Sequence, residues 1–379
     1  MRKAVLLLLL AIPSARSVIL FDTGDPTANT TAPTGDLANS GWQYEGNWLG
    51  LIGTPVASNF FIAAAHIGGA VGDIFVYQGV SYTTVKSFSQ TGSDLLIWQV
   101  NGIFPSFAPL YTKEDEVGQG LIDFGHGTQR GSEIYLNSTL RGWAWGPVDG
   151  VQRWGENNVF SVVPYSGHDL LYSTFDQSAG PNECHLSTGD SSGGMFINDG
   201  GIWKLAGINY AVDDLYTGPD PSTHFVAAIF DARGYYMSDD GTTFTQITGD
   251  NPVPTGFYCS RISSELGWIE SVIDPTGDPD HDGMPNLLEY ALHSNPIVSD
   301  ASNLPQVGRE DNFLTLTYTQ VTTATDISYV VERSSDLVSW TTANAQTETI
   351  GTNGNVETIE AKVDVTDTNV LFLRLRVTR

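Results

Sequence analysis

Three segments carry residue types able to do nucleophilic chemistry. Gly189-Asp190-Ser191-Ser192-Gly193-Gly194 presents two adjacent serine hydroxyls in a glycine-rich turn. A serine hydroxyl is a weak nucleophile until a neighbouring base removes its proton. Glycines permit a tight turn whose backbone N–H groups face a developing oxyanion. The second segment is Phe60-Phe-Ile-Ala-Ala-Ala65, an apolar run closed by His66. A histidine there can serve as a base at the rim of a cleft. The third is Asp94, entering the apolar run Leu95-Leu-Ile-Trp98. A carboxylate is costly to bury unless it is paired, and holding a histidine's other ring nitrogen would pair it. Each segment alone has an ordinary reading as a turn or a strand end. Their order, His66, Asp94, Ser191, is one of the known orders of a serine triad.

A second pattern concerns metal chemistry. In Asp278-Pro-Asp-His-Asp-Gly-Met-Pro-Asn-Leu-Leu-Glu289, positions 1, 3, 5, 9 and 12 are Asp278, Asp280, Asp282, Asn286 and Glu289. Gly283 occupies the sharp turn, and Met284 would give its backbone carbonyl. This is the oxygen-ligand spacing of an EF-hand loop, and hard oxygen donors suit calcium. Pro275 and Gly277 exclude a preceding helix, so the segment resembles the half-hands of dockerin or thrombospondin type 3 repeats. Its expected role is structural, with no cofactor implied for catalysis.

The elements that must position these residues read as strands. Short apolar runs alternate with Gly, Asn, Asp or Ser turns from Trp48 to about Leu215, and the chain holds 40 glycines. Such a pattern predicts an all-β sandwich or barrel. Residues 18–47 read as an irregular arm, and 232–256 as an extended loop or hairpin. Arg261–Ile273 is the best helix, with apolar residues on one face. A composition shift begins at Asp274. Strict alternation in Leu314–Thr319 and Leu371–Arg379 then predicts a small β-domain.

With 17 Lys and Arg against 43 Asp and Glu, the formal net charge is -26. Both the region before Asp274 and the region after it are acidic. Such a surface repels nucleic acid and anionic lipid. Arg2 and Lys3 precede an apolar run to Ile12 that is too short to span a bilayer, and Ala15 and Ser17 have signal-peptidase spacing. Cleavage after Ser17 would export a soluble protein, extracellular or periplasmic. In such a compartment Cys184 and Cys259, the only two cysteines, are expected to be bridged.

Over roughly residues 45–273 the chain resembles the trypsin/chymotrypsin family. Ala-Ala-His66, Asp94-Leu-Leu and Gly189-Asp-Ser-Ser-Gly-Gly-Met-Phe196 resemble its three catalytic motifs. Leu205-Ala-Gly-Ile208 resembles the strand lining the specificity pocket. Gly256-Phe-Tyr-Cys-Ser-Arg-Ile262, running into Leu-Gly-Trp-Ile269, resembles its last strand and C-terminal helix. The short interval from His66 to Asp94 is like that of compact bacterial members. The resemblance implies two six-stranded antiparallel β-barrels with a C-terminal helix over 18–273, after a signal peptide at 1–17. A calcium-binding linker at 274–301 and a small β-sandwich-like domain at 302–379 would follow. It implies Ser191 as nucleophile, His66 as general acid/base and Asp94 as its orienter, with the amides of Gly189 and Ser191 as the oxyanion hole. Counting back from the glycine pair gives Ser192 instead of Ser191. The substrate would be a protein or peptide cleaved by a monomer, with the tail a candidate for cell-surface or matrix contact.

The departures bear on specificity and activation. After Leu-Ala-Gly-Ile208 the family has Ser-Trp-Gly within a few residues, whereas this chain has Asn209-Tyr210-Ala211-Val212, and Val212 falls where a glycine leaves the pocket mouth open. His185 falls near the pocket base, where a trypsin carries an aspartate. Together these imply a small or apolar preference over Lys or Arg. The activation sequence Ile-Val-Gly-Gly is missing, but release of Val18 would supply an apolar N-terminus able to pair with Asp190. The family register also brings Cys184 and Cys259 together beneath the pocket. Two other readings stay open. One is a degenerate protease fold used as a surface-binding module. The other is a lipase or esterase, because Gly189-Asp-Ser-Ser-Gly193 fits the nucleophile elbow.

Overall fold

The computed structural model describes residues 15, 16 and 18–379, except 149, 178, 214, 219–222, 239, 240, 297, 300 and 367–370. The signal-peptide reading of residues 1–17 lies outside the described residues, apart from the backbone of 15 and 16. No helix among the described residues is long and apolar enough to cross a membrane.

The fold is mostly β. Six strands, Gly46–Trp48, Leu51–Ala57, Phe60–Ala64, Leu95–Asn101, Val80–Ser89 and Ile74–Tyr77, close into an antiparallel barrel. The unbroken apolar run Phe60–Ala64 is explained by two cores. Phe61 and Ala63 pack with Trp48, Phe75 and Trp98 among the barrel strands. Phe60, Ile62 and Ala64 face the second half of the molecule, in a cluster with Ile97, Phe124, Phe196 and Ile208. Burying side chains of this size contributes about 1.5–3 kcal/mol each, so both faces of the strand are under apolar demand.

The second half is built on a seven-stranded antiparallel sheet. Its order is Arg153–Asn158, Gly120–Gly125, Gly194–Asp199, Ile202–Val212, Gly256–Arg261, His168–Thr174 and Ser161–Tyr165. Its ladder does not close into a second ring among the described residues. A further six-stranded sheet, which includes Thr128–Leu136 and Thr139–Val148, flanks it. The arm at 18–47 is anchored: Ile19–Leu20 pairs with Cys184–His185, and Val18, Ile19 and Leu20 are buried. Tyr236–Met237 and Thr245–Gln246 form a hairpin.

Helix α1, Leu266–Ile273, buries Trp268, Ile269 and Val272 in the cluster shared by the two halves. Helix α2, Asn286–Leu292, follows the acidic loop and contributes Tyr290 to the same cluster. Four strands, Gln306–Glu310, Phe313–Val321, Val356–Asp364 and Gln346–Asn353, form one tail sheet, and Ser328–Ser334 lies between Thr341–Thr342 and Phe372–Thr378 in another. Met284 and Leu292 plug into the tail core beside Leu316 and Ile359. Val321 and Ala324 of the tail join the larger cluster. Arg379 fastens this junction, donating to Asp326 at 2.8 Å and to the Ser271 Oγ at 2.8 Å.

The expected disulfide is absent. Cys184 and Cys259 are both buried free thiols within one apolar cluster. The Cys259 thiol is directed instead to the Asn209 Oδ1 at 3.2 Å, and burial pushes both thiols well up.

Candidate active site

Strand register brings His66 and Asp94 together. Ala64 pairs with Leu95, which sets Asp94 beside the 3-10 turn Ala65–Ile67. The Ala65 amide donates to the Asp94 carbonyl at 2.5 Å, and the His66 amide to the Asp94 Oδ1 at 2.9 Å. The side chains then meet, with His66 Nδ1 2.7 Å from Asp94 Oδ2. An ionised carboxylate only accepts, so Nδ1 carries the proton. Nε2 is thereby left as an acceptor, and it lies 2.8 Å from the Ser191 Oγ. His66 is 37% exposed at its side chain and Asp94 13%, so the acid is sheltered while the base faces solvent.

The two serines differ in what each hydroxyl touches. Ser191 Oγ faces His66. Ser192 is buried, and its Oγ accepts from the Ala64 amide at 2.9 Å. Ser192 has φ 70°, a conformation that glycine adopts freely and that costs other residues about 1 kcal/mol. Its hydrogen bond to the strand leading to His66 offsets that strain and couples the two segments. A Cβ at Gly193 would lie 1.8 Å from the Phe124 carbonyl, so only glycine fits there. Gly194–Asp199 then runs as a strand, whereas a nucleophile elbow leads into a helix. Among the described residues, neither the Gly189 nor the Ser191 amide has a protein acceptor.

Two buried supports hold this loop from below. Asp190 accepts from the amides of Gly127 at 2.7 Å, Ser187 at 2.8 Å and Val18 at 3.2 Å. Burial nonetheless pushes its carboxyl up to about 6. The second support is Asn209. Its backbone pairs with Ser192 N and Gly193 O, each at 2.9 Å. Its side-chain amide donates to the Asp190 carbonyl at 3.0 Å and to Asp123 at 2.7 Å. Burial holds Asp123 well above the usual carboxylate range. Neither Asn209 nor Asp123 was legible as a support, because an Asn in an apolar strand carries no signal of what lies beneath it.

Beside Ser191 opens a cavity of about 250 Å³ lined by Trp145, Leu186, Thr188, Tyr210, Ala211 and Val212 among others. Of the four expected substrate contacts, Tyr210, Ala211 and Val212 are among its lining residues. His185 is not: it is wholly buried, with Nδ1 2.5 Å from the Leu186 carbonyl and its ring against Phe175 and Phe257. Burial lowers it to about 4, so it is a neutral packing residue. Among the described residues of the lining, the carboxylic acid is Asp190, whose carboxylate is engaged by Val18, Gly127 and Ser187.

In the acidic loop, Asp278, Asp280 and Asp282 bring carboxylate oxygens within 4.8 Å of one another. Asp278 Oδ1, Asp280 Oδ2, Asn286 Oδ1 and both Glu289 carboxylate oxygens are buried with no hydrogen-bond partner. Burial, and then the three neighbouring aspartates, raise Glu289 to about 7. Gly283 has φ 92° at the turn. Five orphaned oxygens on the expected residues are a donor set that fits a hard divalent cation.

No protein-family model matches the chain, and no curated protein matches it. Among solved structures it is similar to an inactive form of a mutant of Rv3671c from M. tuberculosis H37Rv, at 10% identity and TM-score 0.36, covering 64% of this chain and 95% of that one. It is similar to neuropsin, a serine protease of mouse brain, at 11% identity and TM-score 0.34, covering 63% and 98%. It is also similar to the HtrA-type protease AlgW with a decapeptide, at 11% identity and TM-score 0.33, covering 59% and 51%. At TM-scores this low, the chain's own geometry has to carry any reading of the site.

Proposed function

We propose that this chain is a secreted serine endopeptidase with His66, Asp94 and Ser191 as its triad. The observation that carries the reading is the hydrogen-bonded line Asp94–His66–Ser191, at 2.7 and 2.8 Å, opening beside a side-chain-sized cavity. Ser191 Oγ attacks the scissile carbonyl as its proton passes to His66 Nε2, and Asp94 stabilises the imidazolium. The carbonyl oxygen becomes an oxyanion against the amides of Gly189 and Ser191. Collapse breaks the C–N bond, and His66 returns its proton to the leaving amine. Water then releases the acyl group from Ser191 by the same steps.

Among the described residues the cavity lining offers no free charge to a lysine or arginine, which supports preference for a small or apolar residue before the cleaved bond. Profiling against a peptide library tests this, with Ser191→Ala as control. Cleavage after Ala, Val or Leu is the expected result, and rapid cleavage after Arg would overturn the preference. A non-catalytic surface-binding module would cleave nothing in the same assay.

The acidic loop is proposed to hold a structural calcium ion through Asp278, Asp280, Asp282, Asn286, Glu289 and the Met284 carbonyl. Bound calcium would neutralise the carboxylates and brace α2 between the tail and α1. Adding millimolar calcium to chelator-treated protein is expected to raise Tm by several degrees, because a cation bound only by the native state stabilises it. Glu289→Gln should abolish that shift. An equal shift in the variant would remove Glu289 from the site.

A further inference from the structure

Asp94 follows the turn at residues 91 and 92, which the Ser93 amide closes onto the Gln90 carbonyl at 3.2 Å, and one imidazole grips that turn from outside the barrel. His168 begins the strand His168–Thr174. Its Nε2 lies 2.9 Å from the Thr91 carbonyl oxygen, and its Nδ1 lies 2.7 Å from Glu265 Oε1, just before α1. The packing is close: a Cβ at Gly92 would lie 3.1 Å from Nε2. The His168 and Glu265 side chains are 15% and 7% exposed.

Both partners of the ring are acceptors. A carbonyl oxygen has no proton to give, and neither has an ionised carboxylate. A neutral imidazole carries one N–H and satisfies only one of the two contacts, whereas the imidazolium satisfies both. Among the other charged groups, Asp169 favours the cation. Asp94, Asp169 and Arg261 line the small cavity beside His168, together with Tyr165 and Tyr210. Arg261 is itself engaged by Glu116 at 2.7 Å and Asp169 at 3.1 Å. On the other side, Glu114 and His293 line the groove toward the tail. The hydrogen bond to Glu265 raises the His168 pKa from its ordinary value, against the opposing effect of burial. Thr91 is also touched by the tail, through Thr325 Oγ1 at 3.0 Å.

We propose that His168, as an imidazolium, is a positioning residue for Asp94, clamping the 91–94 segment to Glu265 so that the Asp94–His66 pair keeps its geometry. This rests on the protease reading of the site. The sign follows from the partners. The clamp is complete below about pH 6.5, the ordinary histidine value, and is lost as pH rises through the higher folded value. Since His66 must be neutral to act as base, kcat rises on the acid side and falls where His168 deprotonates. Any loss from a Val18 ammonium is untouched by substitution at His168.

The test combines kcat and KM profiles from about pH 5 to 10 with NMR titration of the histidine ring nitrogens, in wild type, His168→Gln and Glu265→Gln. In wild type both His168 nitrogens should be protonated near pH 6.5, and kcat should fall about tenfold through that titration with KM nearly constant. In Glu265→Gln the titration and the kcat limb should move together to lower pH. His168→Gln should have a low kcat lacking that limb. A neutral His168 at pH 6, or a kcat limb unmoved in Glu265→Gln, would overturn the proposal. A wild type that hydrolyses nothing at any pH would overturn the protease reading, and this clamp's catalytic role with it, whatever the NMR shows.

Discussion

Ser191→Ala is expected to lower turnover of a good peptide substrate by roughly 10⁴-fold or more, and Ser192→Ala by no more than about tenfold. The contrast follows from where the two hydroxyls point. Removing Ser191 Oγ deletes the atom 2.8 Å from His66 Nε2, so no acyl-enzyme forms. Removing Ser192 Oγ deletes the acceptor for the Ala64 amide, a support for the strand that leads to His66. That loss costs about 1–3 kcal/mol of stability, read by denaturation, because a buried donor is left unpaired. Comparable losses of activity in both variants would mean that the loop, and not one hydroxyl, is what the reaction needs.

The second large effect concerns Val18 and Asp190. In the continuous chain the Val18 amide already lies 3.2 and 3.4 Å from the two carboxylate oxygens of Asp190. An amide carries no charge, and burial raises Asp190 from 3.8 to about 6. A shift of this size corresponds to about 3 kcal/mol. For an acid raised on folding, the neutral form is the one favoured in the native state. Stability is therefore lost as pH rises from about 4 to 6. Cleavage after Ser17 would replace the amide with an ammonium and reverse this, ionising Asp190 in an ion pair. The pair would weaken only as pH rises above the ordinary amine range of about 7.7–8.0. A chain with residues preceding Val18 is expected to be at least about 100-fold less active than one beginning at Val18, and more stable at pH 5 than at pH 7. Asp190→Asn should lower the released form to the level of the extended one. Full activity in the extended chain would remove the ion pair from the account.

Much of this architecture was legible because the chemistry is sequence-local. The apolar runs Phe60–Ala65 and Leu95–Val100 declared strands, and their pairing register sets His66 beside Asp94. The clustering of Asp278, Asp280 and Asp282 was legible, since all three come from one short stretch. What stayed hidden depends on contacts distant in the chain. Asn209 reaches Asp123 and Asp190 across neighbouring strands, and His168 reaches Glu265 across 97 positions. His185 was misplaced for a related reason. Register put it near the pocket base, but it lies on the strand that pairs with Ile19–Leu20, and its ring turns between Phe175 and Phe257. Proximity in register likewise suggested a disulfide, yet the Cys259 thiol is committed to Asn209.

Labelling with a fluorophosphonate, followed by mass spectrometry of the adduct, tests the central assignment most directly, because it needs no knowledge of the natural substrate. The reagent reacts with a serine only where a neighbouring base and oxyanion donors activate it. A single adduct on Ser191 is expected in the chain beginning at Val18, lost in His66→Ala and strongly slowed in Asp94→Asn. An adduct on Ser192, or none on a folded chain with an intact triad, would contradict that assignment.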